Sequence, residues 1–107
     1  MKETTKFIEI FGDYPKIRVL DFLITFQVFE YPLKEIANNS KVKYSALKKF
    51  WKDLVENEIV IKTRKLNGIN LYKLNIKNLK VRKLIELDNL LLLDSFNKIN
   101  HKVMVHA

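Results

Sequence analysis

Cysteine is absent from this 107-residue chain, which excludes a disulfide scaffold, a cysteine-ligated metal site and a thiol nucleophile. Glycine and proline are scarce, two of each, too few for a linker-rich or disordered chain. The only histidines are His101 and His106. They stand five apart with no third ligand beside them, so no metal site is expected. The longest apolar run, Leu90 to Leu93, is four residues, against the roughly 18–20 that a membrane span needs. The N-terminus, MKETTKFIEIF, carries acidic residues and no cleavage pattern, so it does not read as a signal peptide. No Ser/His/Asp set, glycine-rich phosphate loop or working carboxylate pair stands out. Asp13 and Asp21 flank a helix, where solvation or capping explains them. These absences predict a soluble, cytoplasmic protein that is not an enzyme, has no cofactor and shows no sign of a small-molecule ligand.

What is present is a chain that can fold alone. Its hydrophobic fraction is 48%, and a chain of this length is one domain that can bury a core without staples. The net charge is +8 and the sequence pI is about 9.7. The charge is unevenly placed: residues 1–31 are net −1, while residues 32–56, 57–75 and 76–107 are each net +3. Between Ile59 and Ile85 there are eight basic residues and no acidic one. An AT-rich genome alone favours lysine, isoleucine and asparagine, so the placement of charge decides more than its total.

The pattern predicts a short amphipathic helix over 2–11, closed by Gly12. Pro15 opens a second helix, PKIRVLDFLITF, with Ile17, Leu20, Leu23, Ile24 and Phe26 on its apolar face. Phe29 to Tyr31 reads as a short strand. Pro32 opens a third helix, LKEIANN, with Leu33, Ile36 and Ala37 turned inward. A turn over Ser40 to Lys43 leads into YSALKKFWKDLVEN. There Leu47, Phe50, Trp51, Leu54 and Val55 share one face, and Ser45, Lys48, Lys49 and Lys52 share the other, which holds no acid. IVIKTRKL and INLYKLN flank Asn67-Gly68, a strong hairpin signal. Residues 78–97 read as a long helix, and residues 98–107, without a clear period, as a mobile tail.

Helix–turn–helix followed at once by a hairpin is the winged-helix order, in which the third core helix enters the major groove and the hairpin reaches the flanking backbone. The fold class is therefore mainly α with a small β-hairpin wing (α+β). The whole chain, 1–107, forms one domain: an extra N-terminal helix, a winged-helix core over 15–75 and a long C-terminal helix. A helix that enters a groove about 12 Å wide needs an apolar back and a cationic front. Residues Tyr44 to Glu56 meet that requirement. Lys48, Lys49 and Lys52 supply the front, Lys41 and Lys43 extend it into the turn, and Tyr44 and Ser45 occupy the helix start, the position suited to base edges or phosphates. Lys62, Arg64, Lys65, Asn67 and Asn70 add a second polar and basic set on the hairpin. Trp51 reads as core rather than a stacking platform, and Tyr14, Tyr31 and Tyr72 as core or rim. No exposed aromatic pair marks a sheet for RNA.

The segments RVLDFL, KEIA, FWKDLVENEIV and TRKLNGINLYKLN occur here in order over about residues 12–93 and continue into NLKVRKLIELDNLLL. In this order and spacing the chain resembles archaeal winged helix-turn-helix transcriptional regulators of the broad ArsR/MarR-like class. The resemblance implies a dimeric DNA-binding domain with a recognition helix at about Tyr44–Glu56 and a wing at about Lys65–Asn70. It does not carry over metal sensing, for which this chain lacks cysteine and clustered histidine.

In residues 79–96, ten of eighteen side chains are apolar, and four consecutive leucines point in nearly every direction around the helix. Such a helix needs cover on more than one side. Leu84, Leu87, Leu90, Leu91, Leu92 and Phe96 are therefore the expected homodimer contacts, with the N-terminal helix as the competing cover. The function expected is a double-stranded-DNA-binding regulator. The alternative is a winged-helix interaction module of a transcription, replication or repair assembly.

Overall fold

The computed structural model describes residues 4–106, with side chains as far as residue 97. Thr5 sets where the first helix begins. Its hydroxyl accepts a hydrogen bond from the Ile8 amide at 3.2 Å, satisfying one of the donors that a helix start leaves open. Helix α1 (Lys6–Phe11) thus begins later than the pattern over 2–11 predicts, and residues 1–3 lie outside those described. Gly12, at φ 99°, closes α1 by donating its N–H to the Ile8 carbonyl. Helix α2 (Pro15–Thr25) starts on its proline, and α3 (Leu33–Ser40) follows Pro32 directly.

Helix α3 ends on Lys41, which takes the left-handed conformation at φ 59° and returns its N–H to the carbonyls of Ala37 and Asn38. That reversal starts the turn into α4 (Tyr44–Glu56). Strands β1 (Val60–Leu66) and β2 (Ile69–Leu74) pair antiparallel, with Leu66 opposite Ile69. Asn67 and Gly68 both have positive φ, 52° and 80°, as a two-residue type I′ turn requires. The register shifts between Lys62 and Arg64. The strand expected over Phe29 to Tyr31 is reduced to one bridge, in which Tyr31 and Tyr72 exchange both backbone hydrogen bonds at 2.8 Å. Pro32, with no N–H to donate, gives that pairing no continuation. Helix α5 runs from Leu79 to His106, beyond the end expected at 97. The mobility expected of residues 98–107 concerns side chains outside those described.

Val19 and Leu23 of α2, Ile36 of α3, Leu47 of α4, Val60 and Leu74 of the hairpin and Val81 of α5 are buried together. Each such side chain stabilises the fold by roughly 1.5–3 kcal/mol. Phe7 of α1 joins the same cluster. Trp51 is core as expected, its ring edge-on to Tyr72 at 5.3 Å. Val55 and Tyr14 depart from their expected places and are exposed, 42% and 65%. Tyr14 holds the N-cap position of α2 without a side-chain capping hydrogen bond, and Val55 sits at the edge of the buried face.

Two carboxylates are drawn into this packing. Burial pushes Asp21 of α2 up from the ordinary carboxyl value, opposed by a hydrogen bond from the Thr5 hydroxyl, and the negative charge of Asp88 pushes it further. Burial alone pushes Asp88 of α5 up. A carboxyl raised on folding adds stability while it is protonated, and that stability is lost as pH rises through its folded pKa. Asp88→Asn, which keeps the shape and removes the charge, is therefore expected to raise Tm at about pH 7. The gain should shrink toward the ordinary value of 3.8. Thermal unfolding across a pH series checks this, and a gain that grows on acidification contradicts it.

Candidate nucleic-acid interface

Helical periodicity gives α4 two chemistries. Leu47, Trp51 and Leu54 are buried, and Ser45, Lys48, Lys49 and Lys52 are exposed. Lys43 precedes the first turn and makes no side-chain cap, so backbone N–H groups of that turn remain available to an acceptor. Tyr44 has two cations beside its ring: Lys48 Nζ lies 5.1 Å from the ring centroid and Lys34 Nζ 5.9 Å. Both distances are within cation–π range.

Helix α4 and the wing meet across one groove of about 360 Å3, lined by Pro32, Leu33 and Lys34 of the α3 start, Tyr44 of α4, and Ile69, Asn70 and Tyr72 of β2. Tyr44 and Asn70, from separate sequence motifs, thus line the same groove. Asn70 Oδ1 is buried without a hydrogen-bond partner among the described residues. Lys62, Lys65 and Asn67 are exposed along β1 and at the hairpin tip.

Other expected residues are placed differently. Arg64 is engaged by Glu30 of the α2–α3 connection through an exposed ion pair, and the guanidinium hydrogen bond holds the Glu30 carboxyl below its ordinary value. Lys41 lines another cavity, with Asp21 and Ser40. The lysine face of α4 also meets an acid after all, since Lys52 Nζ lies 3.8 Å from Glu56 one turn on. Both partners are largely exposed, so the pair is worth little against solvent, about 0–1 kcal/mol. Lys34 is the basic side chain lining the groove that the sequence expectation does not include. Its signal was present but weak: a lysine directly after the inward-turned Leu33, in the first turn of the helix that precedes α4.

On the other side of the molecule, α1 packs on α5. Leu90, Leu92, Leu93 and Phe96 are nonetheless 55–61% exposed. Leu84 packs against the core of its own chain, and Leu87 and Leu91 are half-buried. Among the described residues, no helix is long and apolar enough to cross a membrane. His101 and His106 fall outside the described side chains.

No protein-family model matches this sequence, and no curated protein matches it. Solved structures do. A double mutant of ZitR from Lactococcus lactis, in apo form, superposes with a TM-score of 0.59 at 22% identity, covering 79% of this chain and 66% of that one. Wild-type ZitR in complex with DNA gives 0.55 at 22% identity, over 79% of this chain and 60% of its own. This chain thus spans less than two thirds of the length of those ZitR chains. HlyU from Vibrio cholerae N16961 gives 0.52 at 26% identity, over 65% of this chain and 73% of that one. A possible transcriptional regulator from Methanosarcina mazei Go1 gives 0.55 at 18% identity, over 84% and 78%. With its helix–turn–helix, two-stranded hairpin and flanking helices in this order, the chain has the α+β winged helix-turn-helix fold.

Proposed function

We propose that the chain is a transcriptional regulator that binds double-stranded DNA in the cytoplasm as a homodimer. The observation that carries this reading is the groove lined by both Tyr44 at the start of α4 and Asn70 of the wing, with Lys34 and Lys48 beside Tyr44. In the proposed complex α4 enters the major groove. Tyr44 and Ser45 are then nearest the base edges, and Lys43, Lys48, Lys49 and Lys52 lie along the phosphates. The wing sets Lys62, Lys65 and Asn67 on the flanking backbone. A ZitR structure in complex with DNA, similar in fold, supports DNA as the partner. The exposed apolar side chains of α5 support a two-fold dimer in which Leu92 and Phe96, one turn apart, share a face, and Leu90, with Leu87 and Leu91, lies on the neighbouring one.

The apolar connection between α2 and α3 favours a second reading. Phe26, Val28 and Phe29 are exposed there, 43%, 74% and 56%, a patch that suits a protein partner. Duplex binding across a salt series separates the two readings. A Lys48→Ala/Lys49→Ala/Lys52→Ala variant is expected to bind more weakly and to lose about three from the slope of log K against log salt, roughly one per phosphate contact. Absent wild-type binding favours the interaction module, and an unchanged slope removes the lysine face from the interface.

The Arg64–Glu30 pair makes a second test of the wing. Replacing Glu30 by Gln removes the charge that engages Arg64, so DNA binding is expected to tighten by about 2- to 10-fold at low salt, with a steeper salt slope. Fluorescence anisotropy at two salt concentrations reads both, and unchanged affinity and slope would place Arg64 away from DNA. For the dimer, Leu92→Glu/Phe96→Glu is expected to convert the protein to monomer in sedimentation velocity while its helical circular dichroism persists. A variant that stays dimeric excludes that face.

A further inference from the structure

The cavity between α1, α2 and the end of α3 carries chemistry that the α4–wing groove does not use. It holds about 230 Å3, many times the share of liquid volume of one water, about 30 Å3, and it approaches the lower end of small-molecule sites, about 300 Å3. Two polar side chains that line it are more than nine-tenths buried: Asp21 at 9% exposure and Ser40 at 5%. Ser40 Oγ has no hydrogen-bond partner among the described residues, an uncommon state for a buried hydroxyl. Asp21 Oδ1 accepts from the Thr5 hydroxyl at 3.0 Å, a single neutral donor for a buried carboxylate that would be better satisfied by several donors or a cation.

Arg18 and Lys41 line the same cavity, and Ile8 and Phe22 give it an apolar wall. Asp13 takes Nε and Nη2 of Arg18, which leaves Nη1 to a further acceptor. A plain amine would be attracted by Asp21 but repelled by Lys41, and a plain carboxylic acid would meet the reverse; Arg18, already paired with Asp13, offers Nη1 as a donor. A zwitterion satisfies both signs.

We propose that this cavity binds a small α-amino acid with an apolar side chain. The ligand ammonium donates to the Asp21 carboxylate and to Ser40 Oγ. Its carboxylate accepts from Lys41 Nζ and Arg18 Nη1, and its side chain packs on Ile8 and Phe22. Ser40 and Lys41 end α3 and open the turn into α4, so the ligand bears directly on the turn that aims α4. No local sequence pattern marks such a ligand, because its contacts come from three separate segments.

The test is isothermal titration of the intact chain with L-valine, L-leucine, L-isoleucine, L-methionine and L-phenylalanine singly, alongside 3-methylbutylamine and 4-methylpentanoate. At least one amino acid is expected to bind one-to-one with Kd below about 1 mM, and the amine and the acid at least about tenfold more weakly. Ser40→Ala is expected to weaken that binding about tenfold, the loss of a hydrogen bond to a charged group, with thermal unfolding near wild type. Should Ser40→Ala fail to fold, Lys41→Asn, at an exposed position whose left-handed backbone asparagine tolerates, is expected to weaken it as well. Binding by none of the five amino acids, equal binding of the amine or the acid, or wild-type affinity in the folded variant overturns the proposal. The effect on DNA rests on the regulator reading: saturation with the ligand is expected to change duplex affinity at least about fivefold. Unchanged duplex affinity beside clear titration heats overturns that coupling and leaves the site.

Discussion

The burial of one face of α4 is the constraint on which the rest depends. Leu47, Trp51 and Leu54 fix the helix against α2, α3 and the hairpin, at roughly 1.5–3 kcal/mol for each buried side chain. The exposed charges contribute far less to stability: pairs such as Lys52–Glu56 or Lys83–Glu86, with largely exposed side chains, are worth about 0–1 kcal/mol. Core packing therefore decides where α4 lies, and the lysines are carried on it without having to hold it. That division leaves them available for a partner. A helix anchored only by its charges would rearrange once phosphates competed for them.

The same division explains what could be read in the chain before its fold was known. Helix α4 was legible because its sorting repeats every three or four residues, and the hairpin because Asn67-Gly68 meets a backbone requirement that few other pairs meet. Both signals are local. The features that were not legible are contacts between distant segments. Glu30 reaches Arg64 across 34 positions, and Lys34 reaches the Tyr44 ring from the preceding helix. Lys41 joins the basic cluster in sequence, but its cavity neighbours are Asp21 and Ser40. The start of α1 is not legible from apolar spacing, because the Thr5 cap decides that boundary.

Placement also refines the electrostatic argument. Among the wing's basic residues, Arg64 is engaged by Glu30. In compensation, α3 contributes Lys34 to the groove beside Tyr44. The Tyr44 ring lies within cation–π range of two ammonium groups, a local positive field suited to a polyanion. Helix α5 supplies the complementary device, an apolar surface left open although α1 packs on part of the same helix.

The most direct test is to map backbone amide shifts by NMR as duplex DNA is added to the isotope-labelled chain. The account predicts the largest changes over Lys43 to Lys52 and across Lys65 to Asn70, with the Lys34 amide moving among them. Shifts concentrated instead on Phe26 to Phe29, or spread evenly over the basic residues of α5, would contradict it.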